Sequence, residues 1–207
     1  GLAPKTIRTP EYAAIANYAY HLDSAKFAVF LQKHCTQQLG VKHILADVTQ
    51  VNSAKNGDIA SVTTKQQGEI SGDLFIDCTG FSSLLLGEHY KVPFQPCDDV
   101  LFIDTALAVQ VPYEDENDSI ASHTISTAQE AGWIWDIGLQ HRRGVGYVYS
   151  SKYSTESQAR EKLREYVGDK IDSLTIRKIP IKSGHRSHFW QNNCVAVGLS
   201  AGFLEPL

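Results

Sequence analysis

The 207-residue sequence predicts a mixed α/β fold, and three observations carry that prediction. An apolar repeat at helical spacing occupies 23–39. Turn-bounded β-like segments follow it. Two short apolar segments, 73–78 and 193–198, each run into a glycine. The chain order is helix, β-meander, short strand, long β-rich stretch, helix, strand, which places helices and sheets in one architecture.

The first twenty residues carry little beyond Pro4 and Pro10, which bracket a loop. Asp23 can cap a helix reaching Leu39, with Phe27, Phe30, Leu31 and Leu39 near helical spacing and Gly40 as its terminator. Val41, Ile44 and Val48 predict a strand at 42–48. Asn56-Gly57 is a tight-turn signal leading to a strand at 59–65, and Gln67-Gly68 turns the chain into a return strand at 69–72. The segment DLFIDC (73–78) reads as a short apolar strand broken by Thr79-Gly80, and Phe81–Leu86 starts a helix. Residues 87–100, with Pro93 and Pro96, read as loop. Strands are expected at 101–111, 122–128, 131–139 and 144–151, with acidic Glu114–Asp118 in a surface loop. Ser154 or Thr155 caps a helix ending near Val167. Strands follow at 175–182 and 193–198, and Gly202 opens a further helix.

Composition narrows the function classes. Lys+Arg of 19 against Asp+Glu of 23 gives a net charge of −4, which is no nucleic-acid footprint. Hydrophobic residues at 43% and charged residues at 20% describe an ordinary soluble domain long enough for a sizeable core. No apolar run approaches the roughly 18 residues of a membrane span, and no signal peptide opens the chain, so a cytoplasmic, membrane-free setting is expected. Cys35, Cys78, Cys97 and Cys194 form no CxxC pair and read as free thiols of a reducing compartment, three of them in apolar settings. His185 and His188 lack a third ligand at recognisable spacing, so no metal site is expected. No GxSxG, HExxH, P-loop or GxGxxG is present. The absence of Met and the small, apolar run Gly198–Leu207 suggest a truncated chain.

Three segments could carry chemistry. In DLFIDCTGF (73–81), a glycine directly after a buried strand lets backbone approach a phosphate or ring, although such glycines are most often plain turns. In NCVAVGLSAGFLEPL (193–207), a strand runs into Gly198, Ser200, Ala201 and Gly202, small enough to admit a cofactor or simply to turn tightly. Both junctions end strands of similar character, and ligands of open α/β sheets bind at such strand ends. In GWIWDIGL (132–139), Trp133 and Trp135 alternate and share one strand face, either as core, which tryptophan's usual burial favours, or as an aromatic wall over a planar ligand.

Together with HLDSAKFAVFL (21–31) and GYVYSS (146–151), these segments stand in the order found in flavin-dependent halogenases of the tryptophan halogenase family, which the chain resembles from about Tyr20 to Leu207. The resemblance implies a flavin-monooxygenase-like α/β FAD module bearing a β-rich substrate module. Residues 1–99 and 183–207 would belong to the first and 100–182 to the second. Val48 then corresponds to the strand-end residue near the adenine, Gly80 to the second flavin fingerprint, and Gly198, Leu199 and Ser200 to the loop along the ribityl chain. Trp133, Trp135 and Ile137 correspond to the WxWxIP signature, in which Gly138 replaces the proline. A related flavin-dependent aromatic monooxygenase is the alternative reading, and an inactive, non-catalytic fragment the contrasting one.

The resemblance further implies FAD, delivered as FADH2 by a separate flavin reductase. A flavin hydroperoxide would oxidise chloride or bromide, and an electron-rich aromatic such as tryptophan or another indole would be halogenated. A homodimer is compatible with it. The family's catalytic lysine and glutamate would both lie outside these residues. Glu205 matches only the first acid of an EPLEST-like segment whose second acid would follow Leu207, so no catalytic residue is assigned within the chain.

Overall fold

The computed structural model describes residues 7–10, 19–115 and 117–204. In chain order the elements are α1 (Ser24–Gln38), β1 (Val48–Ser53), β2 (Ile59–Thr64), β3 (Gly68–Ser71) and β4 (Phe75–Asp77). A 3-10 turn (Gly80–Ser82) and a π-helical turn (Leu84–His89) lead to β5 (Phe94–Pro96). Then come β6 (Thr105–Pro112), β7 (Ile125–Gln129), β8 (Gly132–Gly138), β9 (Arg142–Tyr149) and α2 (Glu156–Val167). The chain ends through β10 (Arg177–Pro180), β11 (Gly184–Arg186), β12 (Trp190–Gln191), β13 (Cys194–Ala196), a 3-10 turn (Gly198–Ser200) and β14 (Gly202–Phe203). The mixed helix and sheet content agrees with the α/β expectation. Among the described residues no helix is long and apolar enough to cross a membrane.

The chain divides into two compact units. One comprises the residues up to Val41 and Thr105–Pro180. Its antiparallel sheet has the order β10-β6-β9-β8-β7. Strand alternation sends Leu107, Val109, Val111, Ile134, Val145, Tyr147 and Tyr149 to one face, where Ala159, Leu163 and Val167 of α2 and Ile171 cover them. Each such apolar side chain contributes about 1.5–3 kcal/mol when fully buried. A capping box starts α2: Thr155 Oγ1 accepts from Gln158 N–H, and the Gln158 side chain accepts from Thr155 N–H. Helix α1 is capped by Asp23, which accepts from Ala25 and Lys26 N–H. None of its residues is buried, and Phe27 and Phe30 stack on each other in the open.

The second unit comprises Lys42–Asp104 and the residues from Ile181 onward. It holds three small sheets, β1-β2-β3, β14-β11-β5 and β12-β13-β4, with β4 and β13 parallel. Ile59, Leu85 and Cys194 form one buried cluster, and Leu86, Val92 and Ala196 another.

Several sequence expectations need correction. The strand expected at 42–48 begins only at Val48, because the ladder opens where Lys65 N–H donates to Asp47 O; Leu45, before it, is 86% exposed. Phe81–Leu86 does not make an α-helix. Ser83 sits in the left-handed region (φ 44°) and splits the segment into the 3-10 and π turns. The 87–100 loop contains β5, which pairs with β11. Gly202 opens β14 rather than a helix, because it lies against β11 so closely that a Cβ there would meet Gly184 O at 2.7 Å. Cys78 is exposed, one residue beyond the end of β4, and Cys35 and Cys97 are half-buried, so only Cys194 has the buried setting expected.

Candidate functional site

In the second unit, the two strand–glycine junctions meet. The parallel pair β4 and β13 aligns Asp77 with Ala196, so both strands deliver their carboxyl ends side by side. Gly80 (φ +70°) and Gly198 (φ +65°) follow, each in the left-handed region that L side chains rarely adopt. A Cβ built on either glycine meets nothing within 4 Å, so both turns face open space. Ser200 is buried, and its hydroxyl reaches Gly80 O at 3.2 Å. Leu199 is 42% exposed. Val48, also 42% exposed, starts β1 in a different sheet. Glu205 lies outside the described residues.

Beneath the two turns is a residue that the motif reading passed over. The Asp77 carboxylate is fully buried, and among the described residues it is held by hydrogen-bond donors and no ionic partner. Its Oδ1 accepts from Thr79 N–H (3.0 Å), Thr79 Oγ1 (2.6 Å) and Ser200 Oγ (3.1 Å). Its Oδ2 accepts from Leu85 N–H (3.0 Å) and Leu86 N–H (2.9 Å). Burial, the largest single influence, pushes the Asp77 pKa up. The donors from Thr79, Leu86 and Leu85 together outweigh it and leave the pKa below the ordinary carboxylate value. Neighbouring Cys194 has burial as its main influence and the Asp77 charge as a second. Its thiol is pushed up to about 11. The sequence did carry a signal for Asp77: an acid inside a buried apolar strand is rare unless it is bonded.

In the first unit, Trp133, Trp135 and Ile137 share the face of β8 opposite Ile134, so the tryptophans are not part of the core under α2. All three are half-buried. The indoles meet edge to face with centroids 6.4 Å apart. The floor beneath them is made of small residues: Trp135 pairs across the ladder with Gly146 and, beyond it, Ala108. Any side chain at Gly146 would enter the Trp135 ring. Trp133 Nε1 is buried without a hydrogen-bond partner among the described residues. At Gly138, where the WxWxIP signature has proline, a Cβ would meet Ile120 Cγ2 at 2.8 Å and Tyr113 Oη at 3.2 Å, so the neighbouring chain already fills that space. The opposite face of β8 carries buried Asp136, held by Arg143 at 2.5 Å and by the Tyr166 hydroxyl at 3.1 Å. Among the described residues no group of His, Cys, Asp and Glu could hold a metal ion.

Solved structures place this arrangement in a class. The chain superposes on BrvH, a flavin-dependent halogenase from Brevundimonas sp. BAL3, with a TM-score of 0.89 at 37% identity, covering 100% of this chain and 42% of that one. It superposes on the tryptophan halogenase of Shewanella frigidimarina NCIMB 400 with a TM-score of 0.93 at 56% identity, covering 100% and 40%. Among curated proteins, tryptophan 6-halogenase SttH of Streptomyces toxytricini is 45% identical over 190 residues, 92% of this chain and 36% of that protein. The tryptophan halogenase family matches residues 2–207, and the chain belongs to that family. It spans about two fifths of the length of these relatives.

Proposed function

We propose that the protein carrying this chain is a flavin-dependent halogenase acting on tryptophan. The observation that carries the reading is the family match over residues 2–207, with relatives described as tryptophan halogenases. The second unit would supply part of the FAD-binding module. Its two open glycine turns fit such a cofactor: both backbones are bare, both end parallel strands, and their spacing is pinned by Asp77 and Ser200. Gly80 and Gly198 would let their backbones approach FAD, the Gly198–Ser200 loop would run along its ribityl chain through its backbone and Leu199 while the Ser200 hydroxyl stays turned inward on Asp77, and Val48 would border its adenine. Bound as FADH2 and supplied with dioxygen as the oxidant, the group would furnish the oxygen chemistry that converts chloride or bromide into an electrophile.

Residues 100–182 would form the β-rich, substrate-side module. The half-buried wall of Trp133, Trp135 and Ile137 would exclude water there, and Trp133 Nε1 is a buried donor without a partner among the described residues. A flavin reductase would deliver FADH2 in the cytoplasm. Incubating the full-length protein with such a reductase, NADH, FAD, chloride and tryptophan should give monochlorotryptophan, identified by its isotope pattern. Hydroxytryptophan as the main product would replace this reading with the monooxygenase one. No product with chloride, or with bromide in its place, from protein that binds FAD, would remove it.

A further inference from the structure

We propose that Asp77 is a positioning residue that latches the Gly80 turn to the Gly198–Ser200 turn and sets the gap between the two surfaces that hold flavin. The proposal rests on the reading of those turns as the flavin site.

Each hydroxyl in the cluster has one proton to give, and this fixes the bonding. Ser83 Oγ lies 3.1 Å from Ser200 O and 3.4 Å from Asp77 Oδ2, so it donates to Ser200 O, while accepting from Gly87 N–H at 3.0 Å. Ser200 Oγ lies 3.1 Å from Asp77 Oδ1 and 3.2 Å from Gly80 O, and the charged acceptor is the stronger. Two hydroxyl bonds therefore cross in opposite directions between 77–83 and Ser200, segments more than a hundred residues apart in the chain. The carboxylate's other donors come from both sides of the Gly80 turn: Thr79 before it, Leu85 and Leu86 after it.

A residue needed only to fill the strand end could be apolar, as Ala196 is at the paired position. Asp77 instead spends one oxygen on the π turn and the other on Thr79 and Ser200. The buried serine in the left-handed conformation, Ser83, completes the tie. Asparagine cannot replace this pattern. Its amide oxygen can serve the fixed Leu85 and Leu86 N–H groups, but its NH2 then opposes Thr79 N–H.

The test is FAD titration of the full-length protein by flavin fluorescence, alongside melting of the flavin-free protein. The variants are Ser200→Ala, Asp77→Asn and, as control, Ile59→Val in the same unit's buried cluster. Ser200→Ala should raise the FAD Kd by about tenfold, the usual worth of one such bond, and Asp77→Asn by at least as much. Ile59→Val should lower the flavin-free melting temperature comparably yet leave Kd within about twofold, because it changes packing and not the latch. The proposal is overturned if Ser200→Ala binds FAD within about twofold of wild type, or if Ile59→Val weakens binding as much as Ser200→Ala does. Should Asp77→Asn not fold, Ser200→Ala decides alone. Wild-type protein that binds no FAD removes the flavin reading itself, and the latch with it.

Discussion

Replacing Gly146 with alanine should destabilise the sheet of the first unit, while the same change at Gly144, two residues away on the same strand face, should not. At Gly146 an added Cβ would lie inside the Trp135 ring and 2.7 Å from Leu107 O, well short of the 3.4 Å of ordinary contact. The carbonyl cannot retreat, because Leu107 is locked in the β6–β9 ladder opposite Tyr147. Trp135 must therefore swing away, or the strands must part. Overpacking of this kind costs about 1–3 kcal/mol. For a chain of this size that lowers the melting temperature by about 3–10 °C. At Gly144 the nearest atom to a Cβ is Arg142 Nη1 at 3.8 Å, and φ is ordinary, so alanine there restricts the unfolded chain without a clash. Calorimetry measures both melts, and near-ultraviolet circular dichroism reports whether the Trp133–Trp135 pair has lost its fixed geometry. Equal melting temperatures for the two variants, with the aromatic signal of wild type in each, would refute the account of how β8 seats its tryptophans.

Three further outcomes are expected. Arg143→Met should cost about 1–3 kcal/mol in urea denaturation, because the buried Asp136 carboxylate loses its ion pair and keeps the Tyr166 hydroxyl, and Asp136→Asn in the same background should recover part of it; no recovery would mean that the charge is not the cause. Thiol labelling of native protein should modify exposed Cys78 first and leave Cys194 untouched, since its thiol is both buried and held near 11; FAD should slow the Cys78 reaction, whose sulfur lies two residues from Gly80. Asp77 has a folded pKa below its ordinary 3.8, so its stabilisation is complete above that value and fades as pH falls through the folded pKa; acid titration should show the wild-type advantage over Asp77→Asn constant near neutrality and shrinking below about pH 4.

Much of the fold was legible because its signals are local. Asp23, Thr155, Asn56-Gly57 and Gln67-Gly68 each act on neighbouring backbone, and the helices and hairpins appear where those residues place them. The errors fall where a distant segment decides. Phe81–Leu86 looks helical, but Asp77 captures the Leu85 and Leu86 N–H groups and Ser83 is driven left-handed. Gly202 looks like a helix start, but β11 pairs with it. The tryptophans were legible as a shared face, but which face the core would take depends on α2, and α2 covers Ile134.

Glycine shows most clearly what a sequence leaves undetermined. Gly80, Gly198 and Gly146 are the same letter in three glycine-containing segments, yet they answer to opposite demands. Gly146 is glycine because the protein's own Trp135 and Leu107 come too close for anything else. Gly80 and Gly198 are glycine with nothing near them, in a conformation that favours glycine. Openness alone does not mark a site, since Gly40, at the end of α1, and Gly68, in a hairpin, are equally open. What separates Gly80 and Gly198 is that the chain has spent a buried carboxylate and two serines on holding them to one another. A plain turn does not require its distance from a second turn to be fixed. A ligand gripped between two turns does, and that requirement makes the hydrogen bonds under the glycines a better pointer to the proposed site than the glycines themselves.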